Sequence, residues 1–350
     1  MKFALDEKNK KKLIALFDQH ESNIGYFHYL YHIILDNKQY LTPQEAVNKN
    51  DDEKKKYALD RLEKKNHTVN RFILENLRWD IKFLKAKDYR ANPYLVALKD
   101  LTFKEAGWTL TREIRKAYTL CPYDEEYPYG GNYAIKIQLA MFEDDYIYPS
   151  IHLHNYEWMS LNQHEIRTME VPIALAKGKV LTLGLGLGYY AYMVSLKEEV
   201  TEVHIVEMDL ELINLFNKYL LPLFPHPEKI HIHKADAFYF IEGIKDKDYD
   251  FIFSDIWFDA SDGAEAYLKL KKHFYNFKYT KCTYWIENAI ITNLRMSVIN
   301  VMKHEYYRSK ESLDEFEQFI KDKLANYIIK DTNDIDSLLN IKGLNNLLFE

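Results

Sequence analysis

A glycine-rich turn constrains this chain more than any other stretch. It follows an apolar run, Val180–Leu183, which is typical of a buried strand, and it contains Gly184, Gly186 and Gly188 at alternate positions. Glycine can adopt positive φ and lets a ligand lie directly against the backbone. The amides at the start of a following helix would face that ligand and favour a carboxylate or phosphate. The turn is therefore predicted to hold a charged small molecule.

The residues after the turn complete a strand–turn–helix–strand unit. Tyr189–Lys197 is compatible with a helix, and Val203–Val206 is a second apolar run that ends at Glu207. An acid there, about twenty residues beyond the glycines, can accept hydrogen bonds from a ribose diol. Val180–Leu196 carries no charge and could instead cross a membrane, but it has the bare minimum length and contains three glycines. We therefore favour a nucleoside site.

The spacing of the glycines separates two kinds of nucleoside site. A dinucleotide fingerprint has the form G-x-G-x-x-G, whereas Tyr189 occupies the position of its third glycine here. The G-x-G-x-G form resembles motif I of class I S-adenosylmethionine (AdoMet) methyltransferases and of the related spermidine synthases. This resemblance implies that the glycine turn holds the amino-acid end of the cofactor and that Glu207 binds its ribose. Thr182 departs from the pattern, since many methyltransferases have an acid there. A glycine turn of an unrelated α/β protein is the competing interpretation.

A third apolar run, Ile230–His233, leads to Asp236 and Ala237. In the AdoMet proteins that the chain resembles, an acid at this point bonds the adenine amino group, and an apolar neighbour packs on the ring. The resemblance therefore implies that Asp236 binds adenine, with Ala237 and Phe238 against its face. Alternatively, Asp236 caps a helix that begins at Ala237, and a single side chain can do both.

The order of these runs predicts the fold class. Asp250–Ser254 is a fourth apolar run and ends at Asp255, and Thr283–Ile286 is interpreted as a fifth. Strands that alternate with helices form a parallel sheet, with ligands beyond the carboxyl ends of the strands. We predict an α/β protein with a Rossmann-like parallel sheet of the class I AdoMet methyltransferase type. Long helices follow, and the final strand pair of most class I methyltransferases is not evident.

The loop after the fourth strand carries three acids: Asp255, Asp259 and Asp262. Spermidine synthases have two aspartates three apart here, D-x-x-D, followed by proline, and these bind and deprotonate the attacking amine. In this chain the second acid comes at the fourth position and proline is absent, so the base position is not matched. We expect Asp255 and Asp259 to orient or deprotonate an acceptor. Aromatic residues could line the acceptor pocket or belong to the core: Tyr189, Tyr190 and Trp257.

The same loop can be compared with a metal-dependent family. Its D-x-W-x-D pattern resembles catechol-type O-methyltransferases, which bind a divalent cation through an acid here and an acid–Asn pair after strand five. Asp255 and Glu287-Asn288 fall at those places, and such oxygen ligands suit Mg²⁺. Acids at strand ends are common without metal, so we do not expect a divalent cation. The N-P-P-Y type signature of amide-nitrogen methyltransferases is absent, which argues against methylation of nucleic-acid bases or protein Gln.

The sequence also contains two His-x-His pairs that could bind a metal ion. His152/His154 and His231/His233 each point to one face of a strand, an arrangement that could begin a zinc site. No Cys or third ligand lies nearby in sequence. We therefore interpret these histidines as ordinary strand residues.

The first 120 residues are predicted to form a helical domain that acts as a cap or in dimerisation. Thr42–Glu45 has the capping-box pattern of a helix start, with Pro43 in the first turn. A further helix is predicted over Thr111–Leu120. Apolar residues at helical spacing predict another: Val69, Phe72, Ile73, Leu77, Ile81 and Leu84.

Residues 121–172 are predicted to form a β-meander and a connecting helix, and 173–350 the AdoMet-binding domain with a helical C-terminal tail. Cys121–Gly131 is rich in turn residues and marks the boundary. Ala134–Phe142 alternates as a strand does. Gln163–Pro172 resembles the spermidine synthase segment in which a His-Glu pair opens a helix, so Glu165 is either a site residue or a helix cap.

Composition limits the possible partners. The chain of 350 residues is 47% hydrophobic and 29% charged, which is typical of a globular protein. Basic residues are in excess before residue 120 and acidic residues after it, within a net charge of −6. The basic residues are interspersed with acids, so we expect no nucleic-acid partner, while the acidic part would tolerate a cationic substrate. Two cysteines and no signal peptide lead us to expect a cytoplasmic protein that does not bind membranes, with a homodimer as one option.

Three functions remain open. We favour an AdoMet-dependent methyltransferase that acts on a small molecule, with cationic molecules among the candidates. The alternative is an aminopropyltransferase similar to spermidine synthase, which would use decarboxylated AdoMet. The third is a catalytically silent nucleoside-binding module. The order of elements favours the second, and the altered D-x-x-D favours the first.

Overall fold

A computed structural model describes residues 1–35, 38–65, 80–129 and 133–349. The strands in this part of the chain are β1 Lys2–Phe3, β2 Asp80–Leu84, β3 Phe103–Glu105, β4 Trp108–Arg115, β5 Cys121–Pro122, β6 Tyr127–Tyr129, β7 Ala134–Lys136, β8 Gln138–Phe142, β9 Tyr146–Leu153, β10 Tyr156–Ser160, β11 Gly178–Leu183, β12 Val200–Glu207, β13 Ile230–Lys234, β14 Phe251–Ser254, β15 Lys281–Tyr284 and β16 Ile328–Ile329. The α-helices are α1 Glu7–Leu35, α2 Pro43–Ala46, α3 Asp51–Lys65, α4 Ala86–Arg90, α5 Pro93–Leu98, α6 Gln163–Leu175, α7 Tyr189–Ser195, α8 Leu210–Leu215, α9 Ala237–Ile241, α10 Gly263–Phe274, α11 Glu287–Tyr307, α12 Glu315–Lys323, α13 Thr332–Leu339 and α14 Ile341–Phe349.

A parallel sheet forms the centre of the α/β part. Its order among the described residues is β13–β12–β11–β14–β15, and every neighbouring pair is parallel. The inner strands β11 and β14 are mostly apolar, as expected for parallel strands covered on both faces. Val180, Leu181 and Leu183 of β11 are fully buried. The predicted Rossmann-like parallel sheet is therefore confirmed.

In the described part of the chain, the sheet ends at β15 on the side opposite β13. β15 is the last strand on that side, and no described strand continues the sheet beyond it. The short strand β16 pairs in parallel with β1 instead, with Phe3 opposite Ile329. One long helix, α11, follows β15, and the later described helices α12, α13 and α14 are shorter than the sequence predicts.

The membrane-span alternative is wrong for Val180–Leu196. This stretch divides into strand β11, the glycine turn and helix α7, so it cannot form one spanning helix. Across the described ranges, no helix combines the length and apolar character needed to cross a membrane.

The helix predicted over Thr111–Leu120 is wrong. Residues up to Arg115 belong to β4, which pairs antiparallel with β9 over eight residues. Trp108 and Leu110 are buried at alternate positions, and this period of two is the signature of a strand. The described β-structure before α6 therefore begins well before residue 121, in an antiparallel sheet of order β10–β9–β4–β3 and a sheet of order β2–β8–β5.

Only part of the helix predicted from the apolar residues between Val69 and Leu84 can be compared with the structure. The first four of its apolar residues, up to Leu77, lie outside the described residues. Ile81 and Leu84 lie in β2, where Ile81 is opposite Leu139 of β8, so these two residues do not continue a helix. The division into three domains stays a prediction.

Helix α1 packs against helix α11. Phe17 of α1 lies 5.7 and 5.8 Å, between ring centres, from Tyr306 and Tyr307 of α11.

The capping box of α2 is confirmed: the Glu45 amide donates to the Thr42 hydroxyl at 3.3 Å, and the Thr42 amide donates to the Glu45 carboxylate at 2.9 Å.

Candidate active site

The carboxyl ends of three neighbouring strands meet at one edge of the sheet. The Gly184 amide donates to the Val206 carbonyl at 2.9 Å, and the Asp255 amide donates to the Leu183 carbonyl at 2.8 Å. These bonds extend the ladders of β11, β12 and β14 by one residue. The glycine turn, Glu207 and Asp255 are consequently neighbours, as expected for a ligand site in such a sheet.

The glycine turn requires glycine at two positions for different reasons. Gly184 has a φ of 98°, and a Cβ there would lie 2.0 Å from the Asp255 carbonyl oxygen. Gly186 has a φ of 51°, and a Cβ there would lie 2.7 Å from the sulfur of Met159. Gly188 occupies the N-cap of α7. The turn is a cradle of bare backbone in which side chains would clash or be strained.

Glu207 braces this turn. Its Oε2 accepts a hydrogen bond from the Leu185 amide at 3.2 Å, and its Oε1 accepts from the amides of Met208 at 2.7 Å and Asp209 at 2.9 Å. A carboxylate has about four acceptor sites, so one remains open on Oε2. The bond between Glu207 and the turn connects residues that are distant in sequence, and spacing alone did not predict it.

Asp236 and Ala237 lie at the start of α9. The exposed Asp236 carboxylate accepts from the Tyr239 amide at 3.0 Å, so the cap role that the sequence left open is present. The Ala235 amide donates to the Glu207 carbonyl at 3.0 Å, which brings Asp236 near the predicted ribose site. Binding of adenine by Asp236 and Ala237 stays a prediction.

Asp255 is partly buried and lies beside another acid. Burial raises the pKa of Asp255 to about 7. Burial also raises the pKa of Glu165, and the negative charges of Asp255 and then Glu157 raise it further. Asn162, not Glu165, caps α6, because its side chain accepts from the amides of His164 and Glu165. Glu165 is therefore available to the site.

Asp259 has the opposite environment. Its carboxylate accepts from the Ser261 amide at 2.7 Å and the Ser261 hydroxyl at 2.6 Å. Burial alone would raise the pKa of Asp259, but these bonds and one from the Asp262 amide outweigh it and lower the pKa. Asp262 in turn accepts from the Asp259 amide at 2.7 Å. Asp259 therefore supports its own loop, and a catalytic role for it stays a prediction.

A further acid near Asp259 comes from the turn-rich segment before the meander. Burial, followed by the charges of Glu125 and Asp259, raises the pKa of Glu126. The Glu125 carboxylate accepts from the amide of Asn288 at 2.9 Å and from its side chain at 2.8 Å. Sequence reasoning treated this segment as a boundary, and the run of acids there was the missed signal. The charge effects on these pKa values indicate that Glu165 lies near Asp255 and Glu157, and that Glu126 lies near Asp259.

The residues considered for a divalent cation do not assemble. Glu287 accepts from the Tyr267 hydroxyl at 2.8 Å and from the Lys271 ammonium at 2.7 Å, which neutralises its charge. Asn288 is bound to Glu125. Among the described residues, no set of three His, Cys, Asp or Glu ligands includes Asp255. The donor set therefore does not fit Mg²⁺ here.

A small cavity lies between the glycine turn and Asp255. Its walls include Met159, Thr182, Tyr190 and Phe253, and it has room for about one water molecule. Tyr190 stacks on Phe253 with ring centres 4.2 Å apart. The aromatic residues considered for the acceptor pocket are buried: Tyr189, Tyr190 and Trp257. Of these, Tyr189 and Tyr190 line the cavity.

Comparison with known families agrees with part of this picture. A family model for the spermine/spermidine synthase domain matches residues 163–327, just under half of the chain. This stretch begins at α6 and contains the glycine turn, Glu207, Asp236 and Asp255. No curated protein matches the chain.

Solved structures with local similarity include two spermidine synthases. One from Thermotoga maritima is 16% identical, with 42% of this chain and 54% of its own chain covered and a TM-score of 0.32. One in complex with the transition-state analogue AdoDATO is 15% identical, with 49% and 69% covered and a TM-score of 0.33. Precorrin 8w decarboxylase from Methanobacterium thermoautotrophicum is 16% identical, with 33% and 61% covered and a TM-score of 0.25. The chain thus spans about half the length of the Thermotoga enzyme, and TM-scores below 0.5 carry no conclusion.

The family model favours one of the two enzyme interpretations over the other. It does not support the methyltransferase, which the sequence favoured, and it agrees better with the aminopropyltransferase alternative. The D-x-x-D pattern is altered in this chain, and that departure is the reason why the sequence favoured a methyltransferase. The parallel sheet and its helices are consistent with the class I AdoMet methyltransferase-like fold that spermidine synthases share.

Proposed function

We propose that this protein is an aminopropyltransferase that uses decarboxylated AdoMet and an aliphatic amine. The observation that carries the proposal is the charge beside the glycine turn. Among the residues that line the cavity there, Asp255 is the one acid, and no Lys or Arg is present. AdoMet would bring a carboxylate towards this acid, whereas decarboxylated AdoMet brings an ammonium group. Unlike charges attract in a site of low dielectric, so the decarboxylated form is favoured.

The turn and the nearby acids fit a nucleoside substrate of this kind. Gly184 and Gly186 leave bare backbone against which the ligand can lie. Glu207 keeps one acceptor site for a ribose hydroxyl, and the exposed Asp236 lies next to it. These residues would hold the nucleoside, and the turn would hold the propylamine end. The small size of the cavity requires the Met159 side chain to move when the ligand enters.

The carboxyl groups around the mouth suit a cationic acceptor. Glu126, Glu157 and Glu165 would bind the distal ammonium groups of a diamine or polyamine. A bound cation would favour ionisation of these acids, because a positive neighbour lowers the pKa of a carboxyl group. The cost of keeping buried acids close together is thus offset when the substrate arrives.

The transfer needs an amine with a free lone pair. The attacking nitrogen forms a bond to the carbon next to the sulfonium, the carbon–sulfur bond breaks, and methylthioadenosine leaves as a neutral thioether. The amine must lose one proton, since aliphatic amines are protonated at neutral pH. Asp255, with a pKa of about 7, is the residue proposed to accept it. Glu165 is proposed to hold the amine in line.

The proposal is tested by a paired titration and a product assay. The purified protein is titrated with decarboxylated AdoMet and with AdoMet, and each is then incubated with an aliphatic diamine. We expect tighter binding of the decarboxylated form, by about tenfold or more. Mass spectrometry should detect methylthioadenosine and an amine enlarged by one aminopropyl group. Preference for AdoMet together with a methylated product would overturn the proposal in favour of a methyltransferase.

A further inference from the structure

A cluster of histidines and one acid lies on the outer strands of the central sheet, away from the glycine turn. Glu202 and His204 are two residues apart on β12, and His231 and His233 are two residues apart on the edge strand β13. His204 lies directly opposite His231 in the parallel register. Side chains two residues apart share a face of a strand, so all four lie on the same face of the sheet.

The four side chains are close together. His204 contacts Glu202 through Nε2 at 2.9 Å and His233 through Nδ1 at 2.8 Å. The ring centres of His204 and His231 are 4.8 Å apart. Ligand atoms of Glu202, His204 and His231 all lie within 4.8 Å of one another, and among the described residues this is the one such group. Strand β12 supplies Glu202 and His204, which the His-x-His pattern of β13 alone does not reveal.

We propose that Glu202, His204 and His231 form a binding site for a transition-metal ion of the Zn²⁺ type. Neutral imidazole nitrogens and a carboxylate oxygen are a common ligand set for such ions. The ligands are fixed on two neighbouring strands, and the exposed His231 can turn the short distance that tetrahedral coordination requires. Water would take the fourth position.

His233 supports the site through a hydrogen bond to His204. A carboxylate only accepts, so neutral His204 donates from Nε2 to Glu202 and accepts at Nδ1 from His233. When a metal takes the place at Nε2, the proton of His204 moves to Nδ1, and the proton of His233 moves to its own other nitrogen. Both rings change tautomer without net loss of a proton. Hydrogen bonds of this type orient metal-bound histidines.

One cation competes with the metal. Lys179 of β11 has its ammonium 3.6 Å from the Glu202 carboxylate and 5.1 Å from the centre of the Tyr249 ring. Lys179 must release Glu202 when a metal binds. A variant without this positive charge should therefore bind metal more tightly.

The other His-x-His pair provides a contrast. His154 lies in the turn between β9 and β10, and His152 contacts Glu113 at 3.4 Å and the Ser150 hydroxyl at 3.0 Å. No described third ligand completes that pair. The proposal therefore concerns β12 and β13 alone.

The test uses the full chain without an affinity tag and zinc chloride as the probe. Calorimetry should show one Zn²⁺ per chain, and Co²⁺ should give the visible absorption of a tetrahedral site. His231→Ala should weaken Zn²⁺ binding by at least tenfold, and Lys179→Met should tighten it several-fold. His226→Gln, at a surface His–Glu pair with Glu228, is the matched control and should leave binding unchanged.

The outcomes distinguish Zn²⁺ binding at these three ligands from Zn²⁺ binding elsewhere on the surface. His231 is exposed, so its replacement should preserve the fold, and circular dichroism checks this for each variant. Absence of Zn²⁺ binding by the wild-type protein overturns the proposal. Equal affinity in wild type, His231→Ala and His226→Gln overturns it as well, because the metal would then bind elsewhere. These measurements are independent of aminopropyl transfer.

Discussion

Replacement of Asp255 by asparagine should stabilise the protein, and increasingly so as the pH rises. In the folded protein the buried carboxyl keeps its proton up to a pKa of about 7, whereas its ordinary value is 3.8. Folding therefore binds a proton between these pH values. The free energy of unfolding of the wild type falls as the pH rises through this window, because the unfolded chain releases the proton more readily. Asparagine has no proton to lose and avoids this cost.

The size of the effect follows from the two pKa values. A difference of about 3 units corresponds to about 4 kcal/mol once the pH exceeds both values. Most of it develops above pH 5, so the stability advantage of Asp255→Asn should grow by about 2–3 kcal/mol between pH 5 and pH 8. Below pH 4 the wild type and the variant should differ little on this account.

Urea unfolding, followed by circular dichroism at pH 5, 6, 7 and 8, measures the difference. Asp259→Asn is the matched control in the same loop. The pKa of Asp259 is lowered, so its ionised form stabilises the fold above its ordinary pKa, and this contribution is lost as the pH falls. Its replacement should destabilise the protein at neutral pH. The comparison is repeated with Glu165→Gln, because Glu165 titrates beside Asp255.

A flat difference between wild type and Asp255→Asn from pH 5 to pH 8 would refute the reasoning. So would a variant that is less stable than the wild type at pH 8. Either result would mean that the Asp255 carboxylate is well solvated or paired in the folded protein, and that it serves to support the loop.

Further predictions concern activity and binding. Asp255→Asn should lower turnover by about 10²-fold. Wild-type activity should rise with pH through about 7, since only the ionised carboxyl accepts a proton. A pH–rate profile without this rise would contradict the base role. Glu207→Ala should weaken nucleoside binding by about 2–3 kcal/mol, and Glu207→Gln by less, because it keeps one acceptor; unchanged affinity by calorimetry would exclude Glu207 from the site. Gly186→Ala should cost about 1–2 kcal/mol of stability at its positive φ and weaken nucleoside binding. Gly25→Ala in α1 is the control, since nothing lies within 4 Å of its added methyl group and alanine favours the helix, so a similar loss in both variants by urea unfolding would contradict the strain argument.

The sequence predicted those parts of the fold that depend on local pattern. The apolar run before Gly184, the glycine spacing and the acid at Glu207 all lie within about thirty residues, and their order indicates a strand, a turn, a helix and a strand. The prediction failed at Thr111–Arg115, a mostly polar stretch whose one apolar residue, Ile114, is exposed. The burial of Trp108 and Leu110 at alternate positions, together with the partner β9, decides that this stretch is a strand.

The candidate site depends more on tertiary contacts than on pattern. Asp255 was found because it follows a strand, and its neighbours were found only in part. Glu165 comes from a helix ninety residues earlier, and Glu126 from a turn, so their meeting with Asp255 and Asp259 could not be read from spacing. The pKa values of Asp255 and Asp259 shift in opposite directions because one is buried without donors and the other accepts from its own loop. Sequence alone does not distinguish these surroundings.

The pairing of β1 with β16 has a consequence for the order of folding. Lys2 lies opposite Ile328, so this small sheet closes a loop that contains nearly the whole chain. Closure of a long loop costs chain entropy that two residues of strand cannot offset. We therefore expect this pair to form last, after the central sheet and α11 have brought its two halves together. Pulsed hydrogen exchange during refolding should protect the Lys2 amide later than the amides of β11, and simultaneous protection would contradict this order.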